Sequence, residues 1–278
     1  MSVASALAGM RDELRGNVKF AFQPAEETSG GALGMIKAGA LEDPKVDAVL
    51  ALHIINRLEV GRVGVRVGGM FASVDEFTIR IRGRGGHAAH PESLVDPILV
   101  AGQAVNALHQ IVGRNVGALE SAVLSIGMIR GGTAFNVIPD EVELKGTVRA
   151  FDGRTRERVM ERIEEILAGI TAAAGASYEF EDIYQSPVVM NDPDMTALVR
   201  IAASRAIGGE NVIDCEPSMG GDDMAYFQEK TPGCYFIVGG GNEGREYGPH
   251  HSATFGFDER ALEIGLRVMT EAALEYLR

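Results

Sequence analysis

Two kinds of hydrophobic patterning segregate along the chain. In the middle third apolar positions alternate with polar ones: Phe77, Ile79 and Ile81 are separated by Thr78 and Arg80, and Val142, Leu144, Gly146 and Val148 by Glu143, Lys145 and Thr147. A period of two puts one face of each strand in a core and the other in water, as in an antiparallel sheet. Towards both ends the strand candidates are continuous apolar runs instead. Residues 46–55 are broken only by Asp47 and His53, and residues 234–238 read the same way. Such runs fit a buried, mostly parallel sheet.

Helical patterns punctuate both regions. Asp96-Pro97 joins a capping side chain to a first-turn proline and leads into Ile98, Val105, Leu108, Ile111 and Val112 on one face. A second middle helix carries Val159, Ile163, Ile166, Leu167 and Ile170, and Gly175 closes it. Residues 71–186 therefore run strand, helix, strand, strand, helix, strand, the split βαβ pattern of an α+β ferredoxin-like module. Before the module the pattern predicts helices over residues 3–14 and 31–38 and strands over 18–22 and 46–52. After it come a helix opened by Asp192-Pro193, a short helix from Asp222, a strand over 235–238 and a helix from Asp258. That last helix has Leu262, Leu266, Met269 and Ala273 on one stripe. The predicted class is α/β: a discontinuous domain of residues 1–70 and 187–278, interrupted by the α+β module of residues 71–186. The α/β part offers few parallel strands for the helices it must cover, and the chain opens on a helix with no strand before it.

Composition narrows the function classes. A chain of 278 residues suits one large or two medium domains. Its formal net charge of −13 repels phosphate backbones, so nucleic acid is not an expected partner. No apolar run reaches the roughly 20 residues that cross a bilayer, and no basic segment marks the first ten residues as a signal peptide. A cytoplasmic protein with no membrane partner is expected. Cys215 and Cys234 give neither a disulfide framework nor a Cys-x-x-Cys spacing, which suits a reducing compartment.

The sharpest chemical signal is Phe22-Gln23-Pro24-Ala25-Glu26-Glu27, at the end of the predicted strand over 18–22. Ligands gather at the carboxyl ends of strands in open α/β sheets. Adjacent carboxylates there could divide into a general base and a metal ligand, or be two solvated acids ahead of a helix. His53 ends an apolar run, and His250-His251 follow Gly239-Gly240-Gly241; Glu27, His53 and His251 together make a plausible zinc set of nitrogen and oxygen donors. Gly85-Gly86-His87 leaves a middle strand as either a working loop or a tight turn, and Asn136 lies between two strands. His109 and the charges of residues 154–158 read as structural or solvated. Gly83-Arg84-Gly85-Gly86 lacks the helix start and later acid of a dinucleotide fingerprint, and a Walker sequence is absent.

Taken together, the segments at residues 22–27, 47–53, 85–91, 131–140, 219–227 and 251–258 resemble the co-catalytic metallopeptidase and amidohydrolase family of aminoacylases, hippurate hydrolases and auxin-conjugate hydrolases. They occur in family order over nearly the whole chain. The resemblance implies a phosphorylase/hydrolase-like α/β catalytic domain interrupted by a ferredoxin-like lid that mediates homodimerisation. It implies Glu26 as general base and acid, and Glu27, His53 and His251 as ligands of a divalent metal, two per site in the family, of the zinc, manganese or cobalt kind. It further implies His87, from the partner's lid, as holder of the oxyanion, with Asn136 and the turn at Gly221 beside the substrate. The substrate it implies is an N-acyl amino acid or a dipeptide, cleaved at its amide.

This chain departs from the pattern in one respect: it begins just past where the family's Cys-Gly-His-Asp motif should end. The resemblance therefore implies an N-terminally shortened member. The competing expectation is a non-catalytic dimeric remnant, because three ligands do not complete a two-metal site.

Overall fold

A computed structural model describes residues 1–28 and 30–278. The described residues divide into two compact units. One comprises Met1–Met70, Val189–Ser218 and Asp222–Arg278, and the other Phe71–Val188 with Met219–Gly221.

The sheet of the first unit has the order β1 (Val49–Glu59), β12 (Gly233–Gly241), β2 (Val63–Val65), β11 (Val212–Asp214). β1 is parallel to β12 and β11 to β2, so most pairings are parallel as expected, but β12 and β2 are antiparallel and the sheet is mixed. The reason is local. β2 leaves β1 through a tight turn at Gly61, whose φ of 102° only glycine takes readily, and so brief a turn reverses the chain. Nearby, β3 (Gly68–Phe71) pairs with β10 (Val189–Asn191).

All of β12 is buried, as its continuous apolar run requires. Cys234, Phe236 and Val238 pack with Val63 and Val65, with Met195, Val199, Ala202 and Ala203 of α6 (Pro193–Ile207), and with Ala261, Val268 and Ala272 of α8 (Arg260–Tyr276). Asp192 caps α6 by accepting the backbone N–H groups of Asp194 and Met195.

Three expectations are corrected here. The inward stripe of α8 is Ala261, Gly265, Val268 and Ala272, one residue ahead of the predicted one, and Leu262 is 57% exposed. Small residues win because the helix lies close to the sheet: a Cβ on Gly265 would stand 3.4 Å from Leu52. The helix predicted over residues 3–14 is α1 (Ser2–Gly9) followed by a 3₁₀ turn, Arg11–Glu13. Residues 18–22 form no strand, since among the described residues they find no backbone partner for a ladder. Phe20 and Phe22 are 39% and 63% exposed, and the Lys19 ammonium bonds the carbonyls of Ala40 at 3.2 Å, Pro44 at 3.0 Å and Glu42. The other helices of this unit are α2 (Gly31–Lys37) and α7 (Met224–Gln228). Among the described residues, no helix is long and apolar enough to cross a membrane.

The second unit follows the alternation pattern. Its strands β4 (Ser73–Arg82), β6 (Ala122–Gly131), β8 (Glu141–Ala150) and β9 (Ser177–Ser186) form an antiparallel sheet of order β6-β8-β4-β9. A minor pair joins β5 (Gly86–His87) to β7 (Val137–Ile138). The dry face carries Phe77, Ile79, Ile81, Leu124, Val142, Leu144 and Val148. It packs against Val100, Ala101, Ala104 and Leu108 of α3 (Pro97–Leu108), Ile111 of α4 (Gln110–Asn115) and Val159, Ile163 and Leu167 of α5 (Gly153–Ala174). On the wet face Arg80 pairs with Glu143 and Glu181, and Arg82 with Glu141 and Glu179. Gly175 ends α5 at φ 69°.

Ile98 is not on the core face as expected; it is 47% exposed, because the buried stripe of α3 runs through Val100, Ala104 and Leu108 at four-residue spacing. Of the two expected roles for the charges of residues 154–158, structural or solvated, Arg156 takes the structural one. It forks onto the fully buried Asp75, with Nε 2.9 Å from both carboxylate oxygens, and lies 4.3 Å over the Tyr184 ring.

Candidate active site

The acidic pair predicted at a strand end occupies a 3₁₀ turn, Glu26–Thr28, entered through Ala25 at φ 54°. That left-handed conformation is uncommon outside glycine and costs backbone energy. The turn then meets α2, where a Cβ on Gly31 would stand 1.7 Å from the Pro24 carbonyl oxygen, so only glycine fits.

Two long-range segments meet this turn within the first unit, and β1 approaches one of them. The start of α7 brings Asp222 and Asp223, whose carboxylate oxygens lie within 4.8 Å of one another and of a Glu26 oxygen. Asp223 is fully buried, and accepts from the Gln23 side-chain amide and from the Ala32 N–H at 3.1 Å. Asp222 accepts from the Met224 N–H at 2.8 Å and from the buried Tyr235 hydroxyl at 2.7 Å. Residues 242–258, which leave β12, bring His251 to 3.7 Å from Glu27. His251 itself sits at φ 62°, a second strained position at the site. β1 brings His53, which does not end its strand as expected but lies inside it, opposite Ile237. The His53 ring centre is 5.3 Å from that of His250, and His250 stacks in turn on Phe255 at 4.5 Å.

The electrostatics follow from this crowding. Burial, then Asp222, Glu27 and Asp223, push the Glu26 carboxyl up to about 7, against a smaller opposing pull from His251. A carboxyl near neutrality can accept and return a proton at working pH. Burial also raises Asp222, against the hydrogen bonds from Tyr235 and Met224, and raises the Tyr235 hydroxyl. Burial lowers His250, with His53 and His251 adding to the effect, and its Nε2 is buried without a hydrogen-bond partner among the described residues.

Nitrogen and oxygen donors converging on excess negative charge, with an orphaned imidazole nitrogen beside them, fit a divalent cation. Among the described residues the donors within 4.8 Å of one another are the carboxylates of Glu26, Asp222 and Asp223, whereas of the expected set Glu27, His53 and His251 the structure pairs Glu27 with His251, at 3.7 Å. Burial pushes the Cys215 and Cys234 thiols up to about 11 and about 12, so neither is a ready thiolate ligand.

Glu26, Glu27 and His251 are thus brought together, with His53 joined to them through His250 and through the pull it exerts on Asp222. His87 and Asn136 meet one another in the second unit. His87 pairs with Val137, the Ala88 N–H bonds the Asn136 carbonyl at 3.0 Å, and both residues are exposed. Gly221 has a packing reason to be glycine, since a Cβ there would be 2.2 Å from Val74. Gln23 and Tyr235 join the site without a sequence signal of their own, whereas Asp223 belongs to the turn at Gly221 expected beside the substrate and His250 adjoins the expected ligand His251.

The family model described as peptidase family M20/M25/M40 matches residues 1–275. An N-acetylcysteine deacetylase of Bacillus subtilis (strain 168) is 41% identical over 274 residues, which are 99% of this chain and 70% of the relative. An IAA-amino acid hydrolase, ILR1-like 4 of Arabidopsis thaliana, is 35% identical over 282 residues, covering 100% of this chain and 64% of the relative. Among solved structures, the Bacillus subtilis YXEP protein, described as a dinuclear metal binding peptidase from the M20 family, superposes with a TM-score of 0.83 at 36% identity. That match covers 99% of this chain and 69% of the other. The chain therefore spans about two thirds of the length of the proteins it matches.

Proposed function

Because the chain belongs to peptidase family M20/M25/M40, we propose that it is a metal-dependent amidohydrolase releasing an amino acid from an N-acyl conjugate of the hippurate or N-acetyl amino acid type, or from a dipeptide. The discontinuous unit of residues 1–70 and 187–278 is the catalytic domain, and residues 71–186 are the lid and dimerisation domain. The observation that carries the reading is the convergence of Glu26 with Asp222 and Asp223, their carboxylate oxygens within 4.8 Å of one another, beside the Glu27–His251 pair at 3.7 Å.

A divalent cation held by Glu27, His53 and His251 would polarise the scissile carbonyl and make water more acidic. Glu26 takes the proton from the attacking water and returns it to the departing amine, which needs a group that gains and loses a proton near neutrality. Asp222, held by Tyr235, and Asp223, held by Gln23, keep Glu26 in that range. His87 of a second copy donates to the developing oxyanion, and Asn136, with the turn at Gly221, orients the substrate near its carboxylate. The homodimer forms through the edge strand β6 and the adjoining start of α3, where Leu99 is 64%, Ile98 47% and Ile129 58% exposed. Buried free thiols at Cys215 and Cys234 suit a reducing cytoplasm.

A second reading, a dimeric scaffold without catalysis, is favoured by the donor count: Glu27, His53 and His251 supply three protein ligands, and two cations call for more. Turnover of hippurate and N-acetyl amino acids by the purified chain, with zinc, manganese or cobalt, separates the two. Activity that Glu26→Gln abolishes supports the hydrolase; inertness with every metal supports the scaffold.

A further inference from the structure

The segment bearing His250 and His251 is tied to β1 by the side chain of Asn56. β1 and β12 lose register where Ile55 faces Gly239 and Glu59 faces Gly241, so residues 56–58 bulge out of the ladder. At the start of the bulge the Asn56 side-chain amide donates both its hydrogens, to the carbonyl of Gly248 at 2.8 Å and to that of Gly256 at 3.0 Å. Those carbonyls bracket the two histidines. Between them the loop closes on itself: the Gly248 N–H bonds the Thr254 carbonyl at 2.9 Å, the Ser252 hydroxyl bonds the Pro249 carbonyl at 2.7 Å, and Gly248 and Phe255 form an isolated bridge. Inside the closed loop the His250 ring lies 4.5 Å from Phe255 and 5.3 Å from His53, on the same strand as Asn56.

The geometry points to Asn56 as a positioning residue that clips the His251 loop to the strand carrying His53, setting the spacing between the two histidines before a cation arrives. This rests on the reading of Glu27, His53 and His251 as cation ligands. Both partners of Asn56 are carbonyl oxygens, which only accept, so an N–H₂ group is required and a carboxylate of the same shape cannot serve. Without the clip, the two carbonyls lose their partner and the loop must be ordered at the moment of binding. The entropy of that ordering is then subtracted from cation affinity.

The test is zinc affinity by calorimetry, with the cobalt(II) absorption spectrum as a readout of ligand geometry, on the full chain and on Asn56→Asp and Asn56→Leu. Asp75→Asn, in the other unit, serves as a control for lost stability. We expect wild type to bind and both Asn56 variants to lose about 10- to 100-fold in affinity with an altered cobalt spectrum. Amides of residues 248–256 should exchange hydrogen faster, while Asp75→Asn lowers Tm without moving zinc affinity. Should either variant fail to fold, Asn56→Ser removes the amide with least added bulk. Wild-type affinity and spectrum in a folded Asn56 variant would overturn the inference and leave the ligand reading standing. A wild-type chain that binds no zinc, cobalt or manganese overturns the ligand reading and, with it, this one.

Discussion

Replacing Asp222 with asparagine should lower the proton affinity of Glu26, by an amount bounded by the structure. The Glu26 carboxyl stands at about 7 against an ordinary value of 4.5, with burial the largest cause and Asp222 the next. That gap corresponds to about 3 kcal/mol against the ionised form. Because Glu26 is partly exposed, solvent screening reduces its effect on folding to about 1–2 kcal/mol. A carboxyl whose folded-state pKa is raised holds its proton more tightly in the folded chain than in the unfolded one. The metal-free protein should therefore lose that stability as pH climbs from 4.5 to about 7, and lose no more beyond it.

In Asp222→Asn the amide oxygen can accept the Met224 N–H in place of Oδ1, the NH2 in place of Oδ2 can donate to the Tyr235 hydroxyl oxygen, and the side chain carries no charge. In a carbon-13 NMR titration of the Glu26 carboxyl in metal-free protein, the wild-type midpoint should lie near 7. In Asp222→Asn it should fall part of the way towards 4.5, since burial persists. Added zinc should lower both midpoints, because a nearby cation favours the carboxylate. A wild-type midpoint at 4.5, or one that Asp222→Asn leaves in place, would refute the claim that these carboxyls share one field.

Glu26→Gln should cut amide turnover by about 100- to 10,000-fold while zinc affinity by calorimetry holds, as befits a proton carrier rather than a ligand. Leu99→Glu, at an exposed site in the first turn of α3, should convert the proposed dimer to monomer by light scattering, with the circular dichroism spectrum unchanged. Asp75→Ala strands the Arg156 guanidinium and should cost about 3 kcal/mol in urea unfolding; a loss within about 0.5 kcal/mol would mean that the pair contributes little.

The second unit was legible because each of its strands alternates, and alternation fixes both strand type and face. Phe77, Ile79, Ile81, Val142, Leu144 and Val148 are all buried where the period of two puts them. The first unit was less so. A continuous apolar run such as residues 234–238 marks a buried strand but not its direction, and only the turn at Gly61 decides that β12 meets β2 antiparallel. Residues 18–22 resemble a strand in composition, yet a strand needs a second backbone. The stripe of α8 was misplaced by one residue because large side chains were weighted over the small ones that close approach selects. At the site, Glu26, Glu27, His53 and His251 are singled out by local cues and family order. The contacts of Asp223, Tyr235 and His250 are not legible, because they are hydrogen bonds and ring contacts between segments that no spacing along the chain encodes.

The second unit enters and leaves the chain side by side. Val74, at the head of β4, is paired with Ser186, at the tail of β9, and just outside them β3 and β10 are themselves paired. A polypeptide inserted through two adjoining ends behaves as a cassette: it can be cut out and its flanks rejoined by a short linker without unthreading anything. Its own core is supplied wholly from within, so a gene fragment limited to that stretch should yield a soluble, independently melting product.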